Sequence, residues 1–356
     1  MRILLVEPKK GRQYHTAYPP LGLLKLAAYH KKRRDIVRLV NGFIDDGFDP
    51  DKIYITSLFT YAYEPVHQVI SYYAEKYPST DIMVGGIYAT LCPDHLEELY
   101  GERIQIHIGL FDDAEDILPD YSLVAGWNAS ILFSSRGCIR KCDYCSVPKI
   151  EPEFYARSSI KSLIHPDHKK VILWDNNILA SPHWKKIFYE LEEARVEVDF
   201  NQGLDARLLT EDVTKCIKRM KFPIIRLAYD SGEIREKLQE AVELLKHFGI
   251  RGREILVYCL YNYEDTPEFF LKRIKDLMKW GVVAYPMRYE PLEPRPKNTY
   301  VSPSWRPDQL EMIADARRVI GYGGSFPPYK GLRKKILKAR NFQEAFSLKP
   351  PKKAKA

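Results

Sequence analysis

Three cysteines within eight residues carry the most specific chemistry in this chain. They lie in SSRGCIRKCDYCSVPKI, at Cys138, Cys142 and Cys145, separated by three residues and then by two. Three thiolates on one short loop can hold three irons of a cubane iron–sulfur cluster and leave the fourth iron without a protein ligand. That open corner can accept a small chelating molecule. A structural zinc site is the other chemistry this donor set allows, and it needs a fourth ligand. The nearest histidines, His165 and His168, flank Pro166 about twenty residues downstream. Cys92, Cys216 and Cys259 stand alone and do not complete a disulfide framework, so the pattern predicts a reducing, cytoplasmic compartment and a metal or cluster loop. Cys216 and Cys259 read as ordinary core residues.

The elements that must position this loop read as repeating strand–helix units. Over residues 1–111, apolar strands at Arg2–Val6, Asp35–Val40, Lys52–Leu58, Asp81–Val84 and Ile104–Ile108 alternate with helices over 20–29, 64–76 and 94–100. This predicts an open parallel sheet of Rossmann type. The acidic stretch DDAEDILPD (112–120) reads as a linker. The rhythm then restarts with strand Ala129–Ser134, which runs directly into the cysteine loop. Strands at Lys170–Trp174, Glu197–Asn201, Pro223–Tyr229, Glu254–Leu260 and Ala284–Tyr289 follow. Ser181-Pro182, Thr210 and an Asp265/Glu268 capping box read as helix starts, and Ile234, Leu238, Val242 and Leu245 share one face of a helix over 233–248. The expected fold class is therefore α/β: a Rossmann-like parallel sheet (1–120), a partial (βα)6 barrel (121–300) and a helical, Lys-rich extension (301–356).

Parallel barrels place their chemistry at the C-terminal ends of the strands. The polar residues there are Asp175 and Asn176 after the second barrel strand, and Asn201, Gln202, Asp205 and Arg207 after the third. Asp230 and Ser231 follow the fourth, Tyr261 the fifth, and Met287 lies on the sixth. Arg207 has the planar fork that binds carboxylates, although Asp205–Arg207 could equally be a surface pair. Arg226 and Arg288 would each require an anionic partner if they face inward.

The formal net charge of +8 is not evenly spread. From Lys330 to the end there are ten basic residues against one acid, Glu344, so this segment contributes +9 and the rest of the chain −1. Such an end attracts polyanions such as RNA, or acts as a disordered, solubilising tail. No stretch reads as a membrane span.

The C-x3-C-x2-C spacing, with aromatic Tyr144 just before the last cysteine and a βα repeat on either side, resembles the radical S-adenosylmethionine superfamily over about residues 1–300. The resemblance implies a [4Fe–4S] cluster on Cys138, Cys142 and Cys145, with S-adenosylmethionine chelating the open iron. An external electron donor would drive cleavage to methionine and a 5′-deoxyadenosyl radical, which takes hydrogen from an unidentified substrate. It places Tyr144 near the adenine. Asp175 or Asn176 stands where the superfamily usually has a Gly-Gly-Glu-like motif for the amino group. Asn201, Gln202, Asp205 and Arg207 become cofactor contacts, as do Asp230 and Ser231 at the ribose and Tyr261 and Met287 on the last two strands.

The first domain resembles the cobalamin-binding domain that precedes many such barrels, through YPPLGLLKLAAYH, VRLVNG and VGGIYATLCPD. Bound cobalamin would imply methyl transfer. The D-x-H-x-x-G motif of that group is missing, since Asp94 and His95 are adjacent, and His15 is the one histidine of this half to consider as a ligand. A zinc-stabilised nucleic-acid-binding protein and an electron-transfer protein are the competing function classes.

Overall fold

The computed structural model describes residues 1–8, 18–45, 47–319 and 330–348. The protein is a mixed α/β fold with parallel sheets. It divides into two compact units, one of residues 1–171 with 290–299, the other of 172–289 with 300–356.

The first unit opens with β1 (Arg2–Glu7), β2 (Ile36–Asn41), β3 (Lys52–Ser57), β4 (Asp81–Gly86) and β5 (Gln105–Ile106). These form one sheet in the order β2-β1-β3-β4-β5, every pair parallel. Strands covered on both faces must be apolar at consecutive positions. In β1, Leu4 and Val6 pack with Ile53, Ile55 and Val84 on one side, while Ile3 and Leu5 pack with Leu23, Ala27 and Tyr54 on the other. The helices are α1 (Leu21–Lys32), α2 (Tyr63–Lys76), α3 (Ile87–Leu91) and α4 (Pro93–Tyr100). Val66, Val69, Ile70 and Tyr73 of α2 recur at helical spacing and are all buried.

The stretch read as a linker contains a helical turn, α5 (Asp112–Glu115), whose Ala114 and Glu115 are buried. Here the acidic composition misled, because Glu115 is an internal counter-ion. Beyond it lie β6 (Ala129–Leu132), buried throughout, and an antiparallel pair β7 (Ser135–Arg136) and β8 (Tyr155–Ala156), with α6 (Val147–Ile150) between them. Segment 290–299 is held to this unit where the Thr60 hydroxyl donates to the Pro291 carbonyl (3.5 Å) and the Cys92 thiol to that of Leu292 (3.3 Å).

β9 (Lys170–Leu173) crosses from one unit to the other. The second unit continues through α7 (Trp184–Glu193), β10 (Glu197–Phe200), α8 (Glu211–Arg219), β11 (Ile225–Ala228), α9 (Arg235–His247), β12 (Ile255–Tyr261), α10 (Pro267–Trp280) and β13 (Val283–Arg288). β11, β12 and β13 form a parallel sheet in that order. Along β12, Ile255, Val257, Cys259 and Tyr261 are buried while Leu256, Tyr258 and Leu260 are half-buried, so one face is covered more fully than the other. Three helices complete the chain, α11 (Pro307–Val319), α12 (Lys330–Lys338) and α13 (Phe342–Phe346).

Local signals explain some helix starts. Thr210 caps α8 through the Val213 amide. At α10 the cap is Thr266, with Pro267 in the first turn; Asp265, expected to cap, instead pairs with the fully buried Arg273. Burying that guanidinium demands a carboxylate, and the demand outweighs a cap. Ser181 accepts the His183 amide (3.0 Å) in a turn ahead of α7 and is not its cap. Gly86, at φ 106°, lies against the backbone of Ser57, where a Cβ would run into the carbonyl. Gly86→Ala should therefore lower stability by at least about 2 kcal/mol, read as a reduced urea midpoint.

Candidate cluster loop and strand-end residues

The cysteine loop leaves β7 and returns through α6 to β8. Its entry and exit are paired, Ser135 opposite Ala156 and Arg136 opposite Tyr155, and the Arg157 amide donates to the Ser134 carbonyl (2.9 Å). Arg136, two residues before the first cysteine, is 6% exposed. Its Nε and Nη2 donate to the two oxygens of Glu115 (2.8 and 2.9 Å), and Nη1 to Glu151 Oε1 (2.9 Å). The other Glu151 oxygen accepts the Gly137 amide (2.7 Å). Gly137 has φ 69°, and a Cβ there would meet the Glu153 carbonyl, so only glycine fits this corner.

Glu115 is the hub of the buried charges. Besides Arg136 it takes Lys25 Nζ from α1 (2.8 Å) and Arg157 Nη2 (3.2 Å). Burial raises its pKa, but Arg136 and Lys25 outweigh burial and hold the carboxyl below its usual range. Lys25 is pushed down to about 8, because burial outweighs its attraction to Glu115 and Arg136 repels it.

Within the loop, Cys138, Cys142 and Cys145 are half-buried and none forms a disulfide. The Arg140 amide donates to Cys138 Sγ (3.3 Å), and a turn joins the Cys145 amide to the Cys142 carbonyl (3.0 Å). Tyr144 is half-buried beside them. Among the described residues no three His, Cys, Asp or Glu side chains stand in metal-holding geometry. The donor set itself suits an iron–sulfur cluster: three thiols on one anchored loop, one already receiving a backbone N–H. Cys259 is different, a fully buried thiol that burial pushes up to about 12.

The histidines considered for a zinc site each have one ring nitrogen bonded within the chain. His168 Nδ1 bonds the buried Ser130 hydroxyl (3.0 Å), its ring stacks on His165 at 4.4 Å, and His165 Nδ1 accepts the Asp167 amide (3.3 Å).

The described histidines of the first unit each have a protein partner. His15 lies outside the described residues. His30 is held by Asp35 (2.7 Å), His67 by Tyr88 and Tyr100 (2.8 and 2.9 Å), His95 by Tyr88 (2.5 Å) and His107 by the Leu110 carbonyl (3.0 Å). Burial, then His95, pushes His67 down to about 4. In the Gly85-Gly86 turn, Gly86 lies against the Ser57 backbone.

In the second unit the strand-end residues form local sets. The Asn201 amide donates to the Leu173 carbonyl (3.1 Å), bringing the ends of β9 and β10 together. Asp175 and Asn177 are 2% and 3% exposed, with Asn176 half-buried between them. Asn177 Nδ2 reaches Asp205 Oδ2 (3.3 Å). Arg207 closes its fork on Asp205 (2.7 and 3.1 Å), so the chain itself supplies the carboxylate that Arg207 takes. Gln202 is exposed in the same turn. Asp230 accepts the Leu260 amide (3.0 Å), while Ser231 is exposed. Tyr261 is 2% exposed and packs on Phe270 and Trp305, because it has the buried parity of β12; Met287 is exposed.

Asp199, overlooked in the sequence, is the partner that Arg226 requires, and both are largely buried. A signal was present, since an acid inside the strand EVDF must meet a cation when its strand is buried. Arg288 donates to the Tyr300 carbonyl (2.8 Å). Neither a protein-family model nor a curated protein matches this chain.

Arg136→Met should destabilise the protein by about 3–5 kcal/mol, because largely buried Glu151 loses its guanidinium and buried Glu115 one of its three cations. The lowered pKa of Glu115 means that its contribution is present above its unfolded value, near 4.5, and is lost as pH falls through the lower folded value. Urea midpoints measured from about pH 7 to pH 3 should therefore fall more steeply for the wild type than for Glu115→Gln.

Proposed function

We propose that this protein is a radical S-adenosylmethionine enzyme with a [4Fe–4S] cluster on Cys138, Cys142 and Cys145. The observation that carries the reading is the cysteine loop itself, C-x3-C-x2-C, following buried β6 and clamped at its base by Arg136 between Glu115 and Glu151. In this reading β6 and β9–β13 are the six strands of a partial barrel, and the first sheet is a Rossmann-type domain. When bound, the cluster supplies one electron from an external donor to the sulfonium, giving methionine and a 5′-deoxyadenosyl radical that abstracts hydrogen from the substrate.

The chain's own residues hold and tune. Cys138, Cys142 and Cys145 would hold the cluster, and the position they do not fill would be available to the amino and carboxylate groups of S-adenosylmethionine. The Arg140 amide draws charge from Cys138 Sγ, which favours the reduced cluster. Tyr144 offers an aromatic face for the adenine. Asp175, Asn176, Asn201, Gln202, Asp205, Arg207, Asp230, Ser231 and Met287 are the proposed cofactor contacts, while the Tyr261 side chain belongs to the aromatic cluster around Trp305. Asp205 and Arg207 act as one prepaired unit, presenting a fixed carboxylate edge in place of an open cation.

Anaerobically reconstituted protein given a strong reductant and S-adenosylmethionine should form 5′-deoxyadenosine, and Cys142→Ala should reduce this to background. Protein that binds zinc and no iron, or holds a cluster yet forms no 5′-deoxyadenosine, refutes the reading.

A further inference from the structure

We propose that the exposed face of α12 is a docking surface for the phosphate backbone of a nucleic acid. The inference stands apart from the cluster reading and concerns a different part of the chain. The basic segment is not a loose tail over the described residues. Phe342 and Phe346 of α13 are 1% exposed and join Phe270 and Trp305 in an aromatic cluster, with ring centroids 4.7–6.0 Å apart. Ile336 of α12 is fully buried. Arg333 Nη2 donates to the Met278 carbonyl (2.6 Å) and Lys275 Nζ to that of Ala339 (2.5 Å), locking α12 against α10.

What this docking leaves outward is cationic. Lys330, Lys334 and Lys338 are exposed and recur every four residues. They form one stripe with steps of about 6 Å, on the scale of successive phosphates along a strand. Lys272 and Lys279 of α10 are exposed as well. Arg333, Lys335 and Lys275 donate to backbone carbonyls. Of the acids nearby, Glu344 pairs with Arg340, whereas the Glu268 carboxylate accepts the uncharged Phe342 amide (3.1 Å) and so stands against this surface as one opposing charge.

Charge without exposed apolar surface selects the partner. A helix that lies on a membrane needs an outward apolar face, and a protein interface needs a buried anchor. None of the exposed large apolar side chains among the described residues belongs to α12. A regular ladder of lysines suits a polyphosphate, bound by release of counterions.

The test uses the full chain with a fluorescent 20-nucleotide RNA, the DNA of the same sequence, and phosphatidylserine vesicles, titrated over a range of salt. Binding to RNA, to DNA or to both is expected, weakening steeply with salt. Replacing Lys330, Lys334 and Lys338 together by Gln should weaken it about tenfold and make the slope of log affinity against log salt shallower by about 2. The unfolding midpoint should be unchanged, because all three side chains are exposed. A chain lacking residues 349–356 should show the same dependence on these lysines. The proposal is overturned if neither nucleic acid binds in a salt-dependent way, if vesicles bind and nucleic acid does not, or if the triple variant binds as tightly as the wild type.

Discussion

The Arg136 guanidinium, held between Glu115 and Glu151, is the interaction on which the candidate site depends. Charges buried this deeply carry a desolvation penalty that only close, directional partners offset. Here every nitrogen of the guanidinium has a carboxylate oxygen within hydrogen-bonding distance. Glu115 in turn gathers Lys25 and Arg157, so α1, α5, β7, the end of α6 and the end of β8 meet at one cluster of charge. Because Arg136 precedes Cys138 by two residues, fixing the guanidinium fixes the base of the cysteine loop. The Gly137 amide on Glu151 extends the clamp to the adjoining backbone.

The second unit treats charge in a related way. Asp199 neutralises Arg226, Asp205 takes Arg207, and Asp265 takes Arg273. Each arginine is set by a nearby carboxylate before any ligand arrives. The polar strand ends are therefore preorganised, and a bound molecule would meet fixed dipoles and edges instead of a lone cation. Preorganisation of this kind reduces what must be ordered when a ligand binds.

Local rules made much of the fold legible. β1 is a run of apolar residues bounded by Arg2 and Glu7 because it is covered on both faces, and Thr210 caps α8 because a hydroxyl there reaches the Val213 amide. Contacts between distant segments escaped the same rules. Glu115 looked like one more acid in a linker, and its role depends on Lys25 and Arg136, 90 and 21 residues away. Asp265 looked like a cap until Arg273 claimed it. Tyr261 has the side chain of a rim residue, yet strand parity turns it into the aromatic cluster around Trp305. In the candidate loop, the C-x3-C-x2-C spacing was legible in the sequence, whereas the clamp beneath it was not.

The central claim is that this loop holds a cluster with one iron open to S-adenosylmethionine, and electron paramagnetic resonance of the anaerobically reduced protein tests it most directly. The account predicts the signal of a reduced [4Fe–4S] cluster whose g values shift when S-adenosylmethionine is added. A signal unchanged by S-adenosylmethionine, or a protein that carries zinc and gives no iron signal, would contradict it.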